Sequence, residues 1–419
     1  MESTAKKNMW WVPMIVPILI IVIISICYQA MANYLSVYVL EYLHGSATVY
    51  GMIGMAWTFL AMVIRPSAGP LSQKFGSKAV MLVGLGIFAA MIGACGIFMT
   101  FAGFCVFRIL QCIGHGWSYT TANSLAAERI PKEHMGFASS MFVGIPQAAA
   151  IVLGPWLAVL LIGDTSNPNW FKFFVVIAAI MAAGLVLAAI LVPSKKKTEA
   201  QTKVVATDKK AEEAAKYDEN GKEYKGIWKV IEKSALPASV TMIIASFGHC
   251  TMFFLTAYVA ATYGGVSAAI FFSTQALTEF LSRFYQGPLQ DKFGCKPIII
   301  PCCAICVGVY LCLANGMTNW AVLGLIYGIG QAGIKAPLNG CLLTRCPANR
   351  IPVATGTFQM ANAIGLGFAA LIAGVVIDFA GYSALWYYCA AIFVVVALLT
   401  VFVVKDKPAK SKTEKMAES

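Results

Sequence analysis

Four polar residues, Gln111, His115, Tyr119 and Asn123, recur at intervals of four inside an apolar stretch. Tyr327, Gln331, Lys335 and Asn339 repeat the pattern, displaced by a constant interval (327−111 and 335−119 both give 216). Side chains of these types make no nucleophile–base arrangement. They can contact a small organic molecule in a wet interior, and His115 can exchange protons near neutral pH. A step of four advances about 400° on a helix, so each row drifts slowly and stays broadly on one side. Polar side chains are costly against lipid, so both rows are expected to face a water-filled interior. The alternative is hydrogen bonding to neighbouring helices.

Charged residues join these rows. Lys335 lies well inside its stretch, and snorkelling would have to reach over several turns. Arg108 precedes Gln111, and its counterpart in the second copy is Gly324, eleven residues before Lys335. Eleven residues are about 16 Å of helix, too far for one small dianion to bridge Arg108 and Lys335. An earlier stretch offers Tyr28, Gln29, Asn33 and Tyr34, with Glu41 near its far end; a later one offers Ser246, His249 and Thr256. Glu279 stands four residues before Arg283, on the same helix face and able to pair with it. His115, Glu41 and Glu279 are candidate proton carriers, with structural pairing the alternative for each.

These residues need elements to hold them. The chain is 59% hydrophobic and 12% charged, against about 25% charged in soluble domains. A water-soluble fold could not hide so much apolar surface, so the bilayer is the expected solvent. The net charge of +12 sits in short segments between apolar runs, which points to membrane topology rather than nucleic acid. Cys302, Cys303 and Cys306 lie mid-helix without a nearby His or acid and are read as small core residues, not a metal cluster. The first apolar run is too long for a signal-peptide core.

A span needs about 20 apolar residues. Twelve are predicted: 11–40, 47–68, 79–100, 102–126, 136–162, 170–192, 236–262, 266–286, 297–315, 319–342, 352–377 and 382–404. They divide the chain into a six-helix bundle (1–192), a polar linker (193–235), a second bundle (236–404) and a tail (405–419). Lys6, Lys7, Lys74, Lys78, Arg129, Lys132, Lys195, Lys196, Lys197, Lys292, Lys296, Arg345, Arg350 and Lys405 all fall at one set of ends. Basic loops stay inside, so both termini and the linker are expected to be cytoplasmic.

The halves also share a loop. Arg65-Pro66-Ser67-Ala68-Gly69-Pro70-Leu71-Ser72-Gln73-Lys74-Phe75-Gly76 recurs as Arg283-Phe284-Tyr285-Gln286-Gly287-Pro288-Leu289-Gln290-Asp291-Lys292-Phe293-Gly294, shifted by 218 (283−65). Gly69 and Gly287 are expected to let the chain leave the membrane tightly, and Gly76 and Gly294 to make turns. Two related bundles are the mark of a transporter. No strand precedes Gly84-x-Gly86, which is read as helix-packing glycine rather than a phosphate loop. Direct use of ATP is therefore not expected.

Gly287-x-Leu289-x-Asp291-Lys292-x-Gly294-x-Lys296 resembles the loop signature of the major facilitator superfamily, with Gln73 replacing the acid in the first copy. Arg108-x-x-Gln111-x-x-Gly114 resembles its second signature, and Gly154-Pro155 loosely resembles its antiporter motif. Arg65-Pro66-x-x-Gly69, Ile113-Gly114-x-Gly116 and Ala127-x-x-Ile130-Pro131 are similar to the branch of multidrug and metallophore exporters. The resemblance implies an all-α membrane protein of twelve spans in two bundles, with spans 1, 4, 7 and 10 lining a central cavity. It implies a substrate site at Gln29, Asn33, Gln111, His115, Tyr119, Tyr327, Gln331 and Lys335. It implies proton coupling at Arg108, and gating at Arg65, Gly69, Gln73, Lys74, Arg283, Gly287, Asp291, Lys292, Gly154 and Pro155. The expectation is a proton-coupled exporter of small organic compounds in the cytoplasmic membrane. It is expected to act as a monomer, without cofactor, enzymatic activity or nucleic acid partner. A carrier of organic anions is the second expectation.

Overall fold

The computed structural model describes residues 12–127, 135–163, 167–192, 228, 231–249, 251–343, 346 and 350–404. Lys6, Lys7, Arg129, Lys132, Asp164, Lys195, Lys196, Lys197, Arg345 and Lys405 lie outside the described residues, as do the expected tail and most of the expected linker. Among the described residues the apolar runs become helices: α1 Val12–Val37, α2 Ala47–Phe75, α3 Ser77–Ile97, α4 Phe101–Ala127, α5 Met135–Ile162 and α6 Trp170–Leu191. The second half holds α7 Leu236–Phe247, α8 Thr251–Tyr263, α9 Gly265–Phe293, α10 Lys296–Ala314, α11 Trp320–Leu343 and α12 Ile351–Phe402. A five-residue π-turn, Tyr38–Tyr42, closes α1.

Among the described residues, eight helices are long and apolar enough to cross a membrane. The twelve expected spans fall largely in helix, and the lower count of long apolar helices has identifiable reasons. The expected eleventh and twelfth spans run together as α12, turning at Gly381 alone, whose φ of 78° suits a residue without Cβ. The expected seventh span is divided between α7 and α8. The helices α4 and α9 carry polar residues along their length and so fall outside the apolar set.

Local chemistry sets the ends. Ser46 accepts a hydrogen bond from the Val49 amide at 3.2 Å and caps α2; Asn169 accepts one from Lys172 at 2.9 Å and caps α6. Contrary to expectation, the chain does not turn at Gly69 or Gly287. Both α2 and α9 run on through those positions to Phe75 and Phe293. The turns fall on Gly76 and Gly294, with φ of 87° and 84°. The repeat reaches further. Lys78 Nζ donates to the Ala189 carbonyl at 2.7 Å, and Lys296 Nζ donates to the Val401 carbonyl at 2.8 Å. A lysine thus ties the C-terminal end of the last helix in each half, where orphan carbonyls and the helix dipole favour a cation.

The chain forms two compact units. Unit 1 comprises Met1–Lys197 with Met252–Ser273, and unit 2 comprises Thr198–Thr251 with Thr274–Ser419. In unit 1, α3 and α4 cross almost backbone to backbone. A Cβ on Gly114 would lie 2.6 Å from the Phe88 amide nitrogen, and one on Gly84 would lie 2.9 Å from the Gly114 carbonyl. Gly84 is therefore a packing glycine as expected, whereas Gly86 faces open space. In unit 2 the matching crossing uses thiols. Cys306 and Cys302 pack against Gly330 and Gly333 of α11, and both thiols are buried.

Candidate functional site

Unit 1 gathers its polar row into an aromatic nest. His115 stacks on Tyr28 of α1 at 4.6 Å between centroids and on Tyr119, one turn along α4, at 5.5 Å. Trp57 of α2 stacks on Tyr28 at 5.8 Å, and Phe88 of α3 meets His115 edge-on at 5.5 Å. His115 is 5% exposed, while Tyr28 and Tyr119 are half-buried. The close α3–α4 crossing, which Gly84 and Gly114 permit, is what brings Phe88 to His115.

Two guanidinium groups flank the nest. Arg108 Cζ sits 3.9 Å from the centre of the Trp57 ring, a cation–π contact. Its Nη1 donates to Gln111 Oε1 at 3.0 Å. Gln111 is held in turn by donating its Nε2 to the Met91 carbonyl and the Cys95 sulfur, both at 3.2 Å. Arg65 is exposed on α2, and its Cγ lies 3.8 Å from where a Cβ on Gly116 would stand. Both guanidiniums are within electrostatic reach of His115. Among the described residues neither forms an ion pair with a carboxylate; Arg108 meets Trp57 and Gln111, not Glu41.

The other unit 1 candidates are packed differently. Gln29 donates to Asn33 Oδ1 at 2.9 Å along α1, and Asn33 Nδ2 is buried without a partner. Gly154 of α5 presses on this pair, since a Cβ there would lie 2.9 Å from Gln29 Cβ. Pro155 is buried beside it, and Gln73, Lys74 and Glu41 are exposed. A separate cavity of about 280 Å³ is lined by Tyr34, Val159, Gly163, Tyr263, Gly265 and Val266. Tyr34 closes part of it by donating its hydroxyl to the Gly265 carbonyl at 3.0 Å.

Unit 2 builds a hydrogen-bond chain instead of a nest. Gln331 Nε2 donates to the Tyr327 hydroxyl at 2.9 Å, and that hydroxyl meets Tyr310 of α10 at 2.9 Å. Tyr310 donates to the Gly248 carbonyl, beside the break between α7 and α8. A side chain at Gly248 would collide with the Phe393 ring. Lys335 is exposed and within electrostatic reach of His249. Glu279 is half-buried and Lys292 exposed on α9, the latter over the Phe293 ring at 5.0 Å. The side chains of Arg283 and Asp291 lie outside what the structure describes.

The two rows behave alike. Each is buried at one end (Gln111 and Tyr327) and opens along the helix toward Tyr119 and Lys335. A four-residue step overshoots one turn by about 40°, which carries successive members from the packed face to the open one. Sequence reasoning missed Trp57, Phe88 and Tyr310. Aromatic residues in an apolar run give no periodic signal, and only their neighbours distinguish them from core.

Long apolar helices in two units, each with a polar row, define a multi-pass membrane protein of the transporter type. The family model for the Major Facilitator Superfamily matches residues 18–268 and 238–419, and the chain belongs to that superfamily. A staphylopine export protein from Staphylococcus aureus is 22% identical over 373 residues, covering 86% of this chain and 88% of its own. A multidrug resistance protein from Bacillus subtilis is 30% identical over 141 residues, 34% of this chain and 27% of its own length. The solved nucleoside transporter NupG superposes with a TM-score of 0.73 at 12% identity, covering 94% of this chain and 99% of that one. The expected all-helical fold and family are thus found.

Proposed function

We propose that this chain is a proton-coupled exporter of small organic compounds in the cytoplasmic membrane, acting as a monomer by alternating access with both termini cytoplasmic. The observation that carries this is His115, a ring that can exchange protons, stacked on Tyr28 and on Tyr119 with Arg65 and Arg108 within electrostatic reach. A substrate bound against these rings changes the surroundings in which His115 would carry a proton. Proton and substrate occupancy are then linked through differential affinity. The exporters among the relatives support the direction. In unit 1 the candidate substrate contacts are His115 and Tyr119, shaped by Gln29, Asn33 and Gln111; in unit 2 the candidates are Gln331 and Lys335, shaped by Tyr327. Arg108, Glu41 and Glu279 are the further proton-coupling candidates, and the repeated helix ends that stop at Gly76 and Gly294 are the gating elements.

Inverted vesicles acidified inside should accumulate substrate, and collapse of the proton gradient should abolish accumulation. Accumulation that ignores the gradient overturns the coupling. Lys335→Ala should impair substrate binding while leaving insertion intact, and unchanged transport removes Lys335 from the site. A second reading, uptake or exchange of organic anions, is favoured by the two arginines of unit 1 that lack carboxylate partners among the described residues. Accumulation driven by the opposite gradient would select it.

A further inference from the structure

We propose that unit 1 selects for a planar aromatic ring bearing an acidic group. The ring extends the stack of Tyr28, His115 and Tyr119, and the acid is held by Arg65 with Arg108 behind it. This inference rests on the transport reading but names the substrate class, for either direction of movement.

The argument starts from charge. Arg65 lies ten residues before the end of α2, about 15 Å along the helix. Arg108 is buried. Two guanidiniums within spanning helices are costly unless something compensates them. Among the described residues of unit 1 the only carboxylate is Glu41. It stands thirteen residues beyond Tyr28 (41−28), about 20 Å along the chain of α1 and its π-turn. Trp57 and the Gln111 carbonyl engage Arg108 without neutralising it. Among the described residues Arg65 has no such partner: its stem lies against Gly116, the residue after His115, and its charge is within electrostatic reach of the His115 ring. An anion is the missing element.

The second half of the argument is shape. The rings of Tyr28, His115 and Tyr119 are near-parallel, at 28° and 14°. Trp57 lies against one side of this series, 5.8 Å from Tyr28 at 28° and 5.9 Å from His115 at a 47° tilt. The three near-parallel rings offer flat faces, with His115 buried and the two tyrosines half-open. Flat faces reward a flat ring over a saturated one of equal size, because stacking adds to area burial. The cations set the sign of the charge, and the column sets the form of the body.

The test uses the full chain in lipid nanodiscs and three matched probes: naphthoate, its saturated decalin carboxylate, and naphthylmethylammonium. Calorimetric titration should show naphthoate binding about tenfold tighter than either. Arg65→Gln should weaken naphthoate about tenfold, while Arg65→Lys keeps most of the affinity. Tyr28→Leu should weaken it about fivefold, and Tyr28→Phe should not. The conservative pair guards against misfolding, as both must elute and melt like the parent. Equal or tighter binding of the amine, no binding of any probe, or naphthoate affinity indifferent to Arg65→Gln overturns the inference. Proteoliposome flux separates the two layers. Flux of the amine but not of naphthoate leaves transport standing and sinks the substrate class. Selective naphthoate binding with no flux supports the site and sinks transport.

Discussion

Replacing Glu232 with alanine tests how the chain entering unit 2 is held there. Arg350, the residue that precedes α12, is 0% exposed and Glu232 is 5% exposed. Arg350 Nε meets Glu232 Oε2 at 2.5 Å, and its Nη2 donates to the carbonyls of Trp228 and Ile231 at 2.8 and 3.3 Å. Glu232 Oε1 accepts from the Ser234 amide at 3.1 Å and its hydroxyl at 3.0 Å, and the Glu232 amide donates to Thr357 Oγ1 at 3.1 Å. Glu232→Ala removes the carboxylate paired with a buried guanidinium, which costs about 3–5 kcal/mol. Among the described residues the carbonyls of Trp228 and Ile231 still accept from it, so the expected loss lies near the lower end, about 3 kcal/mol. Arg350→Met alone strands the carboxylate, but Ser234 still serves it. The double variant removes both charges and should lose less than Glu232→Ala alone, giving a coupling energy above about 1 kcal/mol in a double-mutant cycle. Thermal and denaturant unfolding of purified protein measure all four corners. Additive losses, or a Glu232→Ala loss within about 0.5 kcal/mol of the parent, would refute the reasoning. The pH dependence has a definite sign. Burial alone would raise the Glu232 carboxyl, but hydrogen bonds from Ser234 and Arg350 outweigh it and hold it below its usual value. A lowered carboxyl contributes stability that is full above its ordinary range and is lost as pH falls through the depressed value. The parent should therefore lose stability in acid more steeply than the double variant.

Gly114→Ala should destabilise by about 1–3 kcal/mol, because the new methyl meets the Phe88 backbone. Gly86→Ala, on the opposite side of α3 from Gly84 and facing open space, should be neutral or stabilising by about 0.4–1 kcal/mol; equal melting shifts for the two would contradict the α3–α4 crossing. Tyr310→Phe removes the donor to the Gly248 carbonyl and leaves the Tyr327 hydroxyl to Gln331, at a cost of about 1–3 kcal/mol. Hydrogen exchange should then quicken around Gly248 and His249, and exchange unchanged from the parent would show that the hydroxyl chain does not steady the break.

Much of the fold was legible because lipid imposes one simple rule, a long apolar run for each span. The runs beginning near Ala47, Trp170 and Trp320 declare themselves this way. Glycine fixed the turns at Gly76, Gly294 and Gly381, where only positive φ fits. The same logic misled at Gly69, where composition resembles a helix exit but the backbone stays helical through Pro66 and Pro70. The division between α7 and α8 was hidden because Gly248 acts through Phe393, which lies far along the chain. The polar rows were visible from their period. Their gradation from dry to open was not, because it depends on which neighbours each turn meets. Arg108 on Trp57 is the same case: the charge was obvious, its partner was not.

The thiols of α10 bear on how motion in this protein can be followed. Of the described cysteines, only Cys105, Cys312 and Cys346 are partly open, and the others are buried, several of them serving as spacers between helices. Serine at those three positions would leave the described surface chemically quiet without disturbing a helix crossing. A single reporter thiol on an exposed position such as Gln73 or Lys292 could then carry a spin label or dye, and distances between such labels would be read against a silent background.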